Sequence, residues 1–217
     1  MNEAEWLTCT ESEQILQVLA KKASDRKLRL FAIEAARHSL QCFGHYDLDE
    51  VVDWAETCVE GQLVGEPSEA IRGAVEWATG EMCESLNCLG EAVRNMISRA
   101  TFDYAVAQQT AKLIFEAHQI ADVQSSAHNE AHKQCGFLRD IFGNPFRLVA
   151  LAPAWLTSDV LLLARGIYTD RAFDRMPILA DALQDAGCDN PDVLNHCRAD
   201  GPHVRGCWVV DLLLGKA

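Results

Sequence analysis

The sequence predicts an all-α fold, an irregular multi-helix bundle, from three observations. Apolar residues recur at helical spacing along most of the chain, and capping residues stand at the ends of these segments. No segment alternates apolar and polar residues as a half-exposed strand does. We expect one helical domain over residues 1–217, in which the N-terminal helices of 1–134 share a core with a C-terminal segment of 135–217.

The first 134 residues contain amphipathic segments that end at recognisable helix stops. The segment "SDRKLRLFAIEAARHSLQCF" has Ser24 or Asp25 as its N-cap and is followed by Gly44, a residue that favours helix C-termini. The segment "DLDEVVDWAETCVEG" places acids in its first turn, where they favour the helix dipole, and stops at Gly61. Farther along, Thr101–Gln134 is predicted to form one long helix.

The pattern changes at "LRDIFGNPFRLVALAPAWL", where aromatic and aliphatic residues surround a Gly143-Asn144-Pro145 turn. Because so apolar a loop is unfavourable in water, we predict an apolar loop at about 137–156 that packs across the helices. Short capped helices are predicted after it, the last with Pro202 near its start. Their sequences are "TSDVLLLARGIY", "DRMPILADALQDAG", "NPDVLNHCR" and "GPHVRGCWVVDLLLG".

The charge distribution bears on the partners of the protein. The formal net charge is -13, and residues 47–91 hold twelve acids against one base, Arg72. Such a surface repels phosphate backbones, so we expect no nucleic-acid partner. We expect instead a protein partner that binds through the acidic helices of 47–91.

Composition also indicates the compartment. No apolar run reaches the roughly 18 residues that a membrane span needs, so we expect no membrane partner. The opening "MNEAEWLTCTESEQ" lacks the basic and then apolar pattern of a secretory signal, and the nine cysteines are an odd number. We therefore predict a soluble cytoplasmic protein whose thiols are reduced.

Several long stretches resemble a bacterial protein family with many paralogues and no established function. They are "LRDIFGNPFR" (138–147), "FDRMPILADALQDAGC" (173–188), "HCRADGPHVRGCWVVDLLLGK" (196–216) and the opening "MNEAEWLTCTESEQILQVLAKKASDRKLRLFA". The resemblance implies no activity. The sequence departs from the family pattern at Leu148, where a proline is expected after "NPFR".

The C-terminal segment contains a candidate zinc site. Cys188, Cys197, His203 and Cys207 supply the thiolate and imidazole ligands that tetrahedral zinc prefers. His203 and Cys207 are four residues apart, so both would lie on one face of a helix. The spacing lacks a close Cys-x2-Cys pair, and the alternative interpretation is that the three cysteines are core thiols.

A second group of possible ligands, "HNEAHKQC", places His128, His132 and Cys135 close together in a polar stretch. Its spacing differs from the His-Glu-x-x-His pattern of metalloproteases. A solvated helix face is the favoured interpretation.

Charged residues beside the apolar motifs form another feature of this segment. We predict a buried ion-pair network that joins the family-like stretches, because unpaired buried charges are costly. The candidates are Arg139, Asp140, Arg147, Arg171, Asp174, Arg205 and Asp211.

Three functions are compatible with these patterns. The first is a non-enzymatic interaction or scaffold protein, with no cofactor, no catalytic residue and no cofactor-binding residue. The alternative is a zinc-binding protein with its site at 188–207. The third is a cysteine-dependent enzyme, in which Cys207 near a helix start would be the nucleophile beside His203.

Overall fold

A computed structural model describes residues 1–44, 48–61, 67–78, 84–97, 104–120 and 124–216. Over these residues the chain forms α-helices and short 3₁₀ helices with no strand, which confirms the all-α prediction. The chain divides into two compact units, an N-terminal unit of Glu3–Leu138 and a C-terminal unit of Arg139–Ala217. The single core shared by residues 1–134 and 135–217 stays a prediction.

The N-terminal unit is built from helices whose apolar faces enclose buried residues such as Trp6, Ile15 and Phe31. No helix within the described ranges is long and apolar enough to cross a bilayer. The predicted helix of residues 101–134 is described as two helices, α7 and α8. The helices are α1 (Glu3–Thr8), α2 (Ser12–Leu19), α3 (Asp25–Phe43), α4 (Asp49–Val59), α5 (Glu69–Ala78), α6 (Glu84–Ile97), α7 (Tyr104–Ile120) and α8 (Gln124–Phe142).

Local sequence signals account for the ends of α3. The Ser24 hydroxyl accepts a hydrogen bond from the Lys27 N–H, which satisfies one of the free donors of the first turn. Gly44 ends the helix with a φ of 73°, a left-handed conformation that costs glycine little. The sequence predicted Gly44 for the C-terminal end and Ser24 or Asp25 for the N-cap, and the N-cap is Ser24.

Beyond the end of α8, the described residues of the C-terminal unit form four α-helices and two short 3₁₀ helices, Pro153–Trp155 and Phe173–Arg175. The Thr157 hydroxyl caps the first helix by accepting from the Val160 N–H. The Asn190 side chain caps the third by accepting from two backbone N–H groups. The helices are α9 (Ser158–Asp170), α10 (Met176–Asp185), α11 (Pro191–Arg198) and α12 (Trp208–Leu214).

The apolar loop is shorter than predicted, because α8 continues to Phe142 and the loop begins at Gly143. Part of it is buried: Trp155 is 7% exposed and belongs to the core of the C-terminal unit. Phe146 and Leu148 are instead 43% and 95% exposed, so the prediction of a buried loop is wrong at these two residues.

The last helix begins later than predicted. Pro202 precedes an irregular segment, and α12 starts only at Trp208. A turn at Arg205 and Gly206 delays it, because Gly206 has a φ of 95° that no right-handed helix contains. The helical spacing expected for His203 and Cys207 is therefore wrong, and the turn brings them together instead.

Candidate metal centre

Four side chains of the C-terminal unit converge on one point. They are Asp140, His196, His203 and Cys207, and one donor atom from each lies within 4.8 Å of all the others. Within the described residues this is the one group of three or more acid, histidine or cysteine side chains that could share an ion. The ligands come from the end of α8, from α11 and from the segment that leads into α12.

Asp140 lies at the middle of this group and is 3% exposed. Its Oδ1 is 2.8 Å from His203 Nδ1 and 3.1 Å from His196 Nε2. Its Oδ2 accepts a hydrogen bond of 2.9 Å from the Val204 N–H. Burial raises the pKa of Asp140, but hydrogen bonds from both histidines outweigh burial, and the pKa is lowered overall. Asp140 is therefore a fixed, ionised carboxylate.

His203 is oriented by groups on both sides of its ring. Its Nε2 is 3.3 Å from the Ala199 carbonyl oxygen, to which an Nε2–H can donate. This arrangement leaves Nδ1 directed at the site, as in metal-ligating histidines whose other nitrogen donates to a carbonyl. Burial lowers the pKa of His203, but the hydrogen bond to Asp140 and its charge raise the pKa by more.

Cys207 is the N-cap residue of α12 and is 1% exposed. Its sulfur is 3.2 Å from His196 Nε2. Burial and the charge of Asp140 raise the pKa of the thiol well above its usual value, although the Val210 and Val209 N–H groups oppose this. A buried thiol of raised pKa is the opposite of what an activated nucleophile needs, whereas N–H donors at the sulfur suit a metal-bound thiolate.

His196 and Trp208 complete the surroundings of the site. The His196 ring lies edge-on to the His203 ring, with 4.9 Å between centroids. Trp208 packs against His196 at a centroid distance of 5.2 Å. Its indole also contacts the turn at Gly143, where a Cβ would lie 3.0 Å from the nearest ring atom.

The structure brings together two of the four ligands that the sequence predicted, His203 and Cys207. Cys188 and Cys197 are instead buried in the apolar core of the C-terminal unit. Burial raises the pKa of Cys197 to about 12, as expected for a core thiol. The predicted set contained neither Asp140, which was expected in an ion-pair network, nor His196, the neighbour of Cys197 in the same stretch.

Asp140 had been expected in a buried ion-pair network, and it does join two of the family-like stretches. Its partners are histidines and a backbone N–H group rather than an arginine. Arg147 pairs instead with Asp192, a contact in which both side chains are more than a third exposed. Arg205 donates to the carbonyl oxygens of Tyr168 and Thr169.

The second predicted group does not assemble in the described part of the chain. His132 is exposed and Cys135 is fully buried. The His128 side chain lies outside those described. The buried polar residues of this stretch are Glu130 and Gln134, and the Glu130 Oε2 is 2.9 Å from His38 Nδ1 on α3.

The donor set is chemically suited to zinc. Carboxylate, imidazole and thiolate are all zinc ligands, whereas calcium and magnesium take oxygen donors. Tetrahedral zinc with its usual bond lengths separates its ligand atoms by about 3.3–3.6 Å. The pairs measured at 2.8, 3.1 and 3.2 Å need only small outward shifts to admit the ion. The Asp140 carboxylate, together with Cys207 once coordination has removed its proton, would also balance the double charge of the ion in a buried position.

Comparisons with known proteins give no further guide to this site. No protein-family model matches the chain, and no similar curated protein or solved structure is found.

Proposed function

We propose that this protein binds one zinc ion through Asp140, His196, His203 and Cys207. The observation that carries the proposal is the convergence of four different donor atoms within 4.8 Å. The surrounding hydrogen bonds support it. The Val204 N–H donates to Asp140 Oδ2, and the Ala199 carbonyl oxygen lies within hydrogen-bond distance of His203 Nε2, so both side chains are held in orientation. Such outer contacts orient ligands in metal sites.

The role of the ion is structural in this proposal. Four protein ligands fill a tetrahedral shell, whereas a catalytic zinc keeps one position for water or substrate. Asp140 and His203 are separated by 63 residues in sequence, so the ion would join distant parts of the C-terminal unit. Because the site does not preexist in the unfolded chain, the free energy of binding would stabilise the fold.

The test is the zinc content of purified protein, measured by elemental analysis after dialysis. We expect about one equivalent for the natural chain and well under half for Cys207→Ser and His203→Ala. The matched controls are Cys188→Ala and Cys197→Ala, which alter buried thiols outside the converging group and should keep the ion. Cobalt substitution adds a direct readout, because a cobalt–thiolate charge-transfer band should disappear in Cys207→Ser.

A metal-free natural chain that also fails to take up added zinc would contradict the proposal. Loss of zinc in Cys188→Ala and Cys197→Ala, but not in Asp140→Asn or His196→Ala, would favour the ligands predicted from sequence alone. A folding check by circular dichroism accompanies every variant.

A second candidate is the interaction protein expected from the acidic helices of 47–91. One observation favours it: Trp77 on α5 is 46% exposed, and aromatic side chains are enriched at protein interfaces. Trp77→Ala is the variant that tests it. This variant should fold like the natural chain and lose binding to any partner that recognises these helices.

A further inference from the structure

We infer that Trp208 and Gly143 close the metal centre and set the rate at which it releases its ion. The inference rests on the proposed zinc site and goes beyond it, because neither residue offers a ligand. Trp208 would act as a cover that holds His196 in place, and Gly143 would provide the space into which that cover fits.

The position of Trp208 is the first step of the argument. It directly follows the ligand Cys207, and its ring packs against the ring of the ligand His196 at 5.2 Å. A zinc ion leaves a four-ligand site when one ligand swings away and water replaces it. An indole packed against His196 opposes both events, because it restricts the imidazole and keeps water from that side of the site.

Gly143 is the second step. It ends α8 just after Asp140, and its N–H donates to the Arg139 carbonyl at 2.9 Å. A Cβ at Gly143 would lie 3.0, 3.1 and 3.3 Å from three atoms of the Trp208 ring. The indole therefore lies directly on the backbone of this turn. An alanine there would push the Trp208 ring away by a few tenths of an ångström, and this displacement would loosen its packing on the site.

Together these contacts tie the cover to three of the four ligands. Trp208 follows Cys207 in sequence, packs on His196, and contacts the turn that ends the helix of Asp140. The closing role thus depends on an aromatic ring at 208 and on the absence of a side chain at 143.

The experiment measures zinc release from the holoprotein after addition of an excess chromogenic chelator. We expect Trp208→Ala to bind about one zinc but release it about 10-fold faster, within the range that outer contacts contribute to metal affinity. Trp208→Phe should release zinc at an intermediate rate. The control is Trp155→Phe, which alters a buried tryptophan of the same core outside the ligand set and should keep the natural rate.

Gly143→Ala provides an independent test with a closely matched control. Gly143 and Gly215 both have a φ of 65°, so an alanine is equally strained at either position. Only at Gly143 would the new Cβ meet Trp208, because a Cβ at Gly215 has no atom within 4 Å. We expect faster zinc release from Gly143→Ala and the natural rate from Gly215→Ala.

The outcomes separate this inference from the proposed function. A natural chain that binds no zinc overturns both. A natural chain that binds one zinc, with unchanged release from Trp208→Phe and Gly143→Ala, overturns the closing role alone. If Trp208→Ala fails to fold, Trp208→Phe and Gly143→Ala still test whether Trp208 slows the release of zinc.

Discussion

Each unit of this protein buries one carboxylate between two histidines, but only one of the two clusters forms a candidate metal centre. In the N-terminal unit, Glu130 is 2.9 Å from His38 Nδ1 and 3.6 Å from His118 Nε2. In the C-terminal unit, Asp140 has two comparable histidine contacts. A thiol lies beside one histidine in both clusters: Cys42 is 3.8 Å from His38 Nε2, and Cys207 is 3.2 Å from His196 Nε2. The difference shows that residue types alone do not make a metal site.

What distinguishes the clusters is how the other polar atoms are satisfied. Around Glu130, neutral groups complete the contacts: Gln134 donates to its Oε1, and Ser39 pairs with His118 at 3.1 Å. These bonds involve residues of α3, α7 and α8, and they give each polar side chain of the cluster a hydrogen-bond partner of its own. Around Asp140, the donor atoms point to one another instead, so an ion could replace the protons between them.

The largest expected effect comes from Asp140→Asn. This change keeps the side-chain shape but removes the charge that both histidines contact, and breaking a buried pair typically costs about 3–5 kcal/mol. We expect loss of zinc and a fall of that size in the free energy of unfolding, measured by chemical denaturation.

Glu130→Gln is the counterpart in the other cluster. It should cost about 1–3 kcal/mol, as for a disturbed buried hydrogen-bond network, and should leave the zinc content unchanged. Equal zinc loss in Asp140→Asn and Glu130→Gln would contradict the inference that only the Asp140 cluster holds the ion.

Chelation should distinguish the thiols of the C-terminal unit. With zinc bound, a thiol reagent should label Cys207 slowly, because the sulfur is buried and coordinated. Chelators should accelerate this labelling at least severalfold, since metal binding is coupled to folding. Cys188 should respond less, because its sulfur is not among the converging donor atoms. Mass spectrometry of the labelled peptides gives the rates. An unchanged rate for Cys207 would count against coordination.

The two clusters should also differ in their response to acid. Burial lowers the pKa of His118 from 6.5, despite the nearby charge of Glu130. The unfolded chain therefore binds this proton more readily than the folded chain. The contribution of neutral His118 to stability is full above pH 6.5 and declines as the pH falls below it.

His118→Gln should therefore flatten the pH dependence of the unfolding free energy below pH 6.5, compared with the natural chain. Denaturation curves between about pH 5 and 8 measure this, within the range where histidines titrate. An unaltered slope in the variant would show that His118 does not supply this response.

The smallest expected effect is at the surface of the C-terminal unit. Arg198 and Asp181 form an ion pair of 2.8 Å, but their side chains are 41% and 73% exposed. Asp181→Ala should cost less than about 1 kcal/mol, because solvent and salt screen exposed pairs. If Asp181→Ala lowered the unfolding free energy as much as Asp140→Asn, burial would not explain why the Asp140 contacts contribute more than this exposed ion pair.

Much of the fold could be predicted because its signals are local. Ser24, Thr157 and Asn190 cap helices with the side-chain bonds that their residue types favour. The start of α12 could not be predicted in the same way. Pro202 resembles a first-turn proline, but the positive φ of Gly206 interrupts the helix before Trp208.

The candidate site could be predicted only in part, because two of its ligands depend on tertiary structure. His203 and Cys207 lie close together in sequence and share a recognisable ligand chemistry. Asp140 is 63 residues from His203, and nothing in its local sequence distinguishes it from other acids that end helices. Cys188, between α10 and α11, and Cys197, on α11, have the chemistry of ligands, but both are buried in the apolar core.

The hydrogen bond between Asp140 and Val204 has a mechanical consequence. It joins residues that are 64 positions apart, and α9, α10 and α11 all lie in the chain between them. A force pulling Arg139 away from Lys216 would pass through this bond, bypassing those three helices. The three helices would carry no tension until the bond opened, and the chain between Asp140 and Val204 could then extend to its full length.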